Sequence, residues 1–415
     1  MKPSKYSVFT IAAKNYLAQA MTLGDSLKLI HPEIDFHIIL ADEAQGMLNL
    51  DKAKHHIIEA KNIDIKDFKD MAFKYDVLEF SCAIKPFCLE YLFTNYHYDK
   101  VLYLDPDVYV YDYLFSIFGL LDNHFLILTP HLTKPNLYDD GSTPENIFLF
   151  CGVYNLGFAG FSRHSQMDNF LNWWKMRMRD KAFVDKLDAF HVDQKWMDLV
   201  PSMYGHDVFI SRYPGYNAAH WNMHERELTT EDGKYFMDGK PLIFYHFSSF
   251  DPKNPQSIAQ RQTRFNLSNK SEYRGVYESY AEKVIRNQFD FFSSSTYAYS
   301  NFDDGTNILS FYRRLYRTLV EDQKYSSFIS NPFLVSGGSF YELLRENGVL
   351  IYEKSKSGEY TKSDFRKSDR FVKWFLSGLG LLKRFLGFKY YHLLMRQFHK
   401  YSRSEEQIFL IRKKH

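Results

Sequence analysis

Short apolar segments alternate with segments of helical periodicity along the first 250 residues, and this alternation constrains the fold more than any other feature of the chain. Leu17, Ala20 and Leu23 recur at the spacing of one helix face. Residues 35–40 are a short, mostly apolar run of the kind that forms a buried strand. The alternation predicts the α/β class, with a mostly parallel sheet covered by helices on both faces. We predict strands at residues 6–12, 35–40, 101–104, 125–129, 153–160 and 242–245, and helices at residues 15–30, 84–93, 166–179 and 192–199.

The chain is long enough for one large domain and an appendage, and its character changes near residue 255. We predict an α/β domain over residues 1–255 and a mainly helical C-terminal region over residues 256–353. Residues 354–415 are predicted to be a charged linker followed by a basic amphipathic tail.

Charge is distributed unevenly along the chain. Residues 366–415 carry a net charge of +10, whereas the preceding residues carry −8. The tail is either an amphipathic helix packed on the protein or an interfacial helix on an anionic membrane surface. We expect no nucleic acid partner, because no recognition motif accompanies the charge. Apolar residues that recur at helical spacing between the basic residues of the tail are Phe371, Trp374, Phe375, Leu379, Leu382, Phe385 and Leu386.

Three sequence features bear on localisation. Cys82, Cys88 and Cys151 are odd in number and lack the spacing of a metal site, which indicates a reducing compartment. The first residues lead directly into a predicted strand, so we expect no signal peptide. The longest uncharged stretch, residues 146–162, is interrupted by Asn and Gly and is not typical of a membrane span. We expect a cytoplasmic protein, held peripherally at the inner face of the membrane if the tail is interfacial.

The residues that follow the predicted strand at 101–104 are the first candidates for chemistry. Asp105 and Asp107 flank Pro106, and side chains two residues apart on an extended segment point the same way. Pro106 fixes its own φ and disfavours helix at the residue before it, so the two carboxylates converge. Hard oxygen ligands at the carboxyl end of an α/β strand suit Mg²⁺ or Mn²⁺, with further ligands from a substrate diphosphate. The alternative is a solvated turn without a metal.

Asp105-Pro106-Asp107 resembles the metal motif of nucleotide-sugar glycosyltransferases of the GT-A fold, a Rossmann-like, mostly parallel sheet flanked by helices. Three further segments, in family order, resemble the retaining family-8 branch, which includes the glycogenins and bacterial lipooligosaccharide galactosyltransferases. They are Tyr154-Asn155-Leu156-Gly157-Phe158, Asp193-Gln194 and Tyr245-His246-Phe247-Ser248. The resemblance spans about residues 6 to 250, and implies that residues 1–255 are a catalytic domain with a helical C-terminal extension.

The resemblance implies that Asp105, Asp107 and His246 hold a divalent ion that also binds the donor diphosphate. An imidazole ligand favours Mn²⁺ over Mg²⁺. The alternative for His246 is an ordinary histidine at a strand end. With both carboxylates present in the sequence, metal ligation is the preferred interpretation.

The other two segments are implied to bind the sugar. Asn155 and Gly157 would contact the donor, while Asp193 and Gln194 would be the catalytic pair beside the anomeric carbon. Asp193 could instead be a first-turn residue that interacts with a helix dipole, and Asn155 could be a turn residue between two strands.

Five further residues are assigned by position. Lys85 would act as a point charge on phosphate. Thr10 and Asp42, near the ends of the first two predicted strands, lie where such folds hold the nucleoside. Asn217 and Trp221, just before the last predicted strand of the domain, are placed near the acceptor.

The sequence departs from the family after the histidine segment. Ser249 stands where a glycine is expected, and Asp251-Pro252-Lys253 replaces Lys-Pro-Trp. Phosphate contacts from that loop are therefore not implied.

The predicted function is transfer of a sugar from a nucleotide donor, a UDP-sugar first among them, to a glycan or lipid-linked glycan acceptor. The family likeness implies retention of configuration. One alternative is an inverting transferase of the same fold, with a carboxylate such as Asp193 or Asp251 as general base. The other is a non-catalytic sugar-nucleotide-binding or scaffolding protein.

Overall fold

The computed structural model describes residues 5–44, 46, 53–137, 145–321, 323–352 and 368–411. Residues 354–367 of the predicted charged linker (354–368) and residues 412–415 of the predicted tail lie outside these ranges. The strands are β1 (Tyr6–Ala12), β2 (Asp35–Leu40), β3 (His56–Glu59), β4 (Lys100–Leu104), β5 (Val108–Val110), β6 (Leu126–Leu128), β7 (Phe158–Ser162), β8 (Val184–Asp185), β9 (Phe190–His191), β10 (Val208–Ile210), β11 (Ala218–Ala219), β12 (Leu228–Glu231), β13 (Lys234–Met237), β14 (Lys240–Pro241) and β15 (Phe244–His246). The helices are α1 (Leu17–Ile30), α2 (Phe68–Lys74), α3 (Val77–Ala83), α4 (Lys85–Tyr96), α5 (Phe115–Leu120), α6 (Asn146–Cys151), α7 (Met167–Lys181), α8 (Val200–Tyr204), α9 (Arg274–Arg286), α10 (Phe289–Ser293), α11 (Ser310–Val320), α12 (Phe340–Glu346) and α13 (Ser368–Tyr401).

A seven-stranded sheet in the order β10-β6-β7-β4-β1-β2-β3 forms the centre of the fold. Every neighbouring pair is parallel except those that involve β7, which runs antiparallel to β4 and β6. Strands β1 and β4 are almost entirely buried, and helix α1 buries most of its residues. This is expected of a parallel sheet, since helices cover both of its faces. The predicted α/β class, with a helical C-terminal region, is confirmed.

The predicted strand at residues 153–160 is observed as a shorter element, β7. Tyr154 makes only an isolated bridge to Pro130. Between them, the Asn155 side chain accepts a hydrogen bond from the Gly157 amide (3.1 Å). Such local side-chain bonds compete with strand pairing, so the ladder begins after this turn.

A small second sheet, in the order β11-β15-β5, aligns the ends of two distant chain segments. His246, the last residue of β15, pairs with Val108, the first residue of β5. The amide of Phe247 then donates to the carbonyl of Asp107 (2.8 Å). The register therefore places His246 beside the turn that carries the two predicted carboxylate ligands.

The chain forms two compact units. The first comprises described residues within 1–66 and 77–297, and the second comprises those within 67–76 and 298–415. In the second unit, α2 supplies Phe73, whose ring lies 4.7 Å from that of Tyr316. Buried Arg313 donates to the carbonyls of Phe73 (2.5 Å) and Tyr75 (2.8 Å).

Helix α13 carries the apolar residues of the tail. Its regular geometry is interrupted at Gly387 (φ 70°). Large apolar side chains before the interruption are exposed, including Trp374 (73%) and Phe385 (86%). Among the described residues, no helix combines the length and apolarity required to cross a membrane.

Candidate metal centre and active site

The turn between β4 and β5 and the end of β15 bring Asp105, Asp107 and His246 together. His246 Nε2 lies 3.1 Å from Asp107 Oδ1 and 3.7 Å from Asp105 Oδ2. One ligand atom from each of the three residues lies within 4.8 Å of the other two. The three residues predicted as metal ligands therefore form a group that could hold an ion.

Asn217 orients the ring of His246. The amide oxygen of Asn217 lies 3.2 Å from His246 Nδ1 and accepts its proton, so Nε2 faces the carboxylates. A metal-ligating histidine typically has its second nitrogen held in this way. Burial disfavours the charged imidazole, but the charges of Asp107 and Asp105 outweigh burial and raise the pKa of His246. Two carboxylates and an imidazole fit Mn²⁺ or Mg²⁺.

Glycine at position 157 permits the close approach of the chain to His246. A Cβ atom there would lie 2.3 Å from His246 Cε1 and 2.7 Å from Nδ1, closer than real contacts allow. The carbonyl of Gly157 also accepts a hydrogen bond from the Asp105 amide (2.8 Å). Gly157 thus shapes the metal centre from both sides.

Asn155 and Asn217 form a hydrogen-bonded network behind the histidine. Asn217 Nδ2 donates to Asn155 Oδ1 (3.0 Å) and to Thr129 Oγ1 (2.9 Å). Asn155 Nδ2 lies 3.2 Å from His131 Nε2, and the other ring nitrogen of His131 donates to the carbonyl of Val153 (3.1 Å). Asn155 is therefore part of the site's framework, and Asn217, predicted near the acceptor, contacts the metal centre directly.

Lys85 and Asp193 form a buried ion pair, with 2.5 Å between Nζ and Oδ2. Both side chains are about 2% exposed. At this distance the contact is a salt bridge between the Lys85 ammonium and the Asp193 carboxylate. Burial disfavours the ammonium, but the charge of Asp193 prevails and raises the pKa of Lys85. Asp193 makes no capping hydrogen bond to the following 3₁₀-helix, Gln194–Leu199.

Tyr103 connects this ion pair to the metal centre. Its hydroxyl donates to Asp105 Oδ1 (2.6 Å), and Lys85 Nζ lies 4.0 Å from the centre of its ring. Burial, reinforced by the Asp105 charge, raises the pKa of Tyr103 well above its ordinary value, so the phenol remains a donor. The metal group and the Asp193 pair are thus parts of one site.

Both the oxygen and the nitrogen of the Gln194 side-chain amide form hydrogen bonds with the backbone. Its Oε1 accepts from the Leu156 amide (3.0 Å), and its Nε2 donates to the Cys151 carbonyl (2.9 Å). Gln194 therefore ties the segment that carries Asn155 to the segment that carries Asp193.

The two residues predicted at the nucleoside lie at the carboxyl ends of β1 and β2. Thr10 is fully buried, and its hydroxyl has no partner among the described residues. Asp42 accepts from the amides of Lys14 (3.2 Å) and Glu43 (2.8 Å), and the Lys14 ammonium lies 3.4 Å away.

Trp221, predicted near the acceptor, stands edge-on to His246, with 5.1 Å between ring centres. Its indole nitrogen and Nδ1 of neighbouring His220 are buried and unpaired within the described structure. Burial and the nearby His246 lower the pKa of His220 to about 3, so this imidazole is neutral. Both nitrogens are polar groups that the described residues leave unsatisfied.

Two residues that sequence reasoning missed, Tyr16 and Arg261, interact electrostatically with this centre or its surroundings. Burial and the charge of Asp107 raise the pKa of Tyr16 to about 12, and the charge of Arg261 opposes that increase. Neither residue belongs to a recognisable motif, since both reach the site only through the fold. Tyr16 lies within the predicted helix at residues 15–30, and the amphipathic pattern of that helix does not mark it as a site residue.

No protein-family model matches the chain. It is similar to two uncharacterized proteins of Bacillus subtilis, YfnF and YfnD. Identity to YfnF is 25% over 285 residues (66% of this chain, 90% of YfnF), and identity to YfnD is 22% over 252 residues (60% and 78%).

Solved structures that resemble the chain include the galactosyltransferase LgtC with donor and acceptor sugar analogues (18% identity, TM-score 0.39, 67% of this chain and 99% of that one). Others are the glycosyltransferase GlyE of Streptococcus pneumoniae (15%, 0.39, 72% and 67%) and mouse xyloside xylosyltransferase 1 (14%, 0.36, 59% and 98%). At these identities and TM-scores, the similarities do not assign the chain to a family.

Proposed function

We propose that this protein is a metal-dependent glycosyltransferase that moves a sugar from a nucleotide donor, with a UDP-sugar as the first candidate, to a glycan or lipid-linked glycan. The observation that carries the proposal is the convergence of Asp105, Asp107 and His246 at the carboxyl edge of an α/β sheet, beside the buried Lys85–Asp193 pair. Ligands of open α/β sheets bind at this edge.

The chain's own residues would prepare the metal centre. Asp105, Asp107 and His246 would hold Mn²⁺ or Mg²⁺, which supplies Lewis-acid stabilisation of negative charge on a departing nucleoside diphosphate. Tyr103 fixes one oxygen of Asp105, and Asn217 fixes the ring of His246. These bonds set the ligand directions before substrate arrives.

Asp193 is the best candidate for binding the donor sugar. It is buried beside the metal group, and the Lys85 ammonium lies 2.5 Å from its Oδ2. A sugar hydroxyl would donate to the other carboxylate oxygen, Oδ1. Gln194, by contrast, would act as a positioning residue, because both ends of its amide hold backbone groups.

Retention of configuration is the preferred stereochemical outcome. An inverting transferase needs a carboxylate that is free to accept the acceptor proton. Asp193 is held by the Lys85 ammonium and is assigned here to the donor sugar, so it is not free to serve the acceptor. This argues against the inverting alternative in which Asp193 is the general base.

The exposed part of α13 supports an interfacial tail that would hold the enzyme near lipid-linked acceptors. On a helical projection, its Trp, Phe and Leu side chains cover most of the surface, and Lys373 and Arg384 share the narrow remaining face. The sequence from Arg370 to Ser402 contains seven Lys or Arg and no Asp or Glu. This combination fits the surface of an anionic membrane.

The decisive experiment is to incubate the protein with a panel of nucleotide sugars and Mn²⁺ and to measure released nucleoside diphosphate. We expect one donor to be turned over, chelator to stop the reaction, and Asp107→Ala to remove it while circular dichroism is unchanged. Activity in excess chelator would contradict the metal proposal. Nucleotide binding without turnover of any donor would favour the non-catalytic alternative.

A further inference from the structure

The described basic residues that lie deepest in the site are already paired. Lys14 lies 3.4 Å from Asp42, and Lys85 lies 2.5 Å from Asp193. All four side chains are nearly inaccessible to solvent. A divalent ion would be neutralised largely by its own two carboxylate ligands. A bound diphosphate therefore needs a further cation from the protein.

The backbone that follows β15 returns Arg261 towards the metal centre. The chain turns at Ser249, which adopts a left-handed conformation (φ 57°). The amide of Gln260 then donates to the carbonyl of Ser249 (2.9 Å), three residues after His246. Gln262 is buried and bonded to the backbone of Phe265, so Arg261 is an exposed side chain on an anchored segment.

Arg261 interacts electrostatically with three residues from different chain segments: Tyr16, His191 and His220. Burial is the largest influence on the pKa of each, and the guanidinium adds a lowering contribution to all three. Tyr16 and His220 also interact with Asp107. Within the described structure, the guanidinium has no acidic partner of its own. Together with the Gln260–Ser249 hydrogen bond, these interactions place Arg261 near the metal ligands.

Lys253, the other cation near the start of this segment, is directed elsewhere. Its ammonium lies 2.5 Å from Asp290 Oδ1, and both side chains are largely exposed. It also lies over the ring of Phe289, on the short helix α10. The lysine that the sequence offers next to the histidine motif is therefore occupied at the surface.

We propose that the Arg261 guanidinium binds the diphosphate of the nucleotide donor. This inference rests on the proposed function and adds a specific residue to it. Guanidinium presents paired N–H donors that match two phosphate oxygens, whereas an ammonium acts as a point charge. Arg261 would neutralise diphosphate charge that the metal ion leaves uncompensated.

The test compares Arg261→Gln, Arg261→Lys and the control Lys253→Gln, which removes the same charge from the same segment. Calorimetry with Mn²⁺ first identifies which of UDP, dTDP and GDP the wild type binds. The dissociation constants of that diphosphate and of its nucleoside are then measured for every variant. We expect Arg261→Gln to weaken diphosphate binding at least tenfold and to leave nucleoside binding unchanged. The diphosphate affinity of Arg261→Lys should lie between those of Arg261→Gln and the wild type. Lys253→Gln should bind the diphosphate as tightly as the wild type.

Equal diphosphate affinity in Arg261→Gln and wild type would overturn the inference while leaving the proposed function intact. Equal losses for Arg261→Gln and Lys253→Gln would also overturn it, since they would indicate a general charge effect. A wild type that binds none of the diphosphates would instead defeat the proposed function, and the inference with it. Retained nucleoside binding shows that each variant is folded.

Discussion

Replacing Lys85 by Met would test whether the buried ion pair organises the candidate active site. The substitution keeps much of the side-chain volume but removes the ammonium that lies 2.5 Å from Asp193. It also removes the hydrogen bond from Lys85 to the Leu156 carbonyl (3.1 Å). Asp193 would then be a buried carboxylate without its counter-charge.

The expected loss of stability is large. Removal of one partner from a buried pair typically costs about 3–5 kcal/mol, because the remaining charge is left uncompensated. For a domain of this size, each kcal/mol shifts the midpoint by about 2–4 °C, so the transition should fall by roughly 6–20 °C. Replacing both residues, as in Lys85→Met with Asp193→Leu, should recover most of that loss, since no charge remains buried.

The stability difference between the wild type and Lys85→Met should decrease at high pH only. The folded pKa of Lys85 is raised above its ordinary value, so the pair's contribution is fully present below the ordinary lysine pKa, about 10.4. The contribution is lost as pH rises through the folded pKa. The difference between wild type and Lys85→Met should therefore be constant from neutral to mildly alkaline pH and decrease only above about pH 10.4.

Scanning calorimetry is the appropriate assay, because the two units need not unfold together. The wild type, both single variants and the double variant form a complete double-mutant cycle. A loss below about 1 kcal/mol for Lys85→Met would refute the reasoning, since that is the range of solvent-exposed pairs. A double variant less stable than either single one would refute it as well.

Three further predictions concern separate parts of the molecule. Gly157→Ala should lower the free energy of unfolding by about 1–3 kcal/mol and weaken nucleotide-dependent Mn²⁺ binding, because the added Cβ would lie 2.3 Å from His246. Mn²⁺ binding is measured by electron paramagnetic resonance, and Gly119→Ala, which has open space around it, is the control. Equal Mn²⁺ binding by Gly157→Ala and the wild type would contradict the assigned packing. Asp193→Asn should lower turnover far more than UDP affinity, and a parallel loss of both in calorimetry would mean that the residue does not serve the sugar. Trp374→Ser combined with Phe385→Ser should reduce sedimentation with anionic liposomes at least tenfold without lowering donor hydrolysis, and unchanged sedimentation would contradict the interfacial tail. These point substitutions are preferable to deletion of the tail, because buried Ile411 lies at the end of that segment.

Local rules were enough to predict several elements from the sequence. The sequence located α1, β1 and β2 within a few residues. The helix buries residues at helical spacing, and the two strands are short runs of buried, mostly apolar residues. The convergence of Asp105 and Asp107 followed from the geometry of an extended Asp-Pro-Asp segment. His246 was placed with them only through a family resemblance, and the register of β15 on β5 supplies the physical reason for its position.

Tertiary structure alone decided how the site is held together. Lys85 and Asp193 are separated by more than a hundred residues, and no periodicity predicts that they pair. Asn217 was placed near the acceptor by its position in the chain, and the fold turns its amide towards His246. Arg261 carries no motif, and its segment lies near His246 only because the chain returns to Ser249. Local geometry therefore determined that two carboxylates converge. Long-range packing decided that His246 joins them and which partners orient and neutralise the group, because burial and pairing depend on segments that meet only in the folded state.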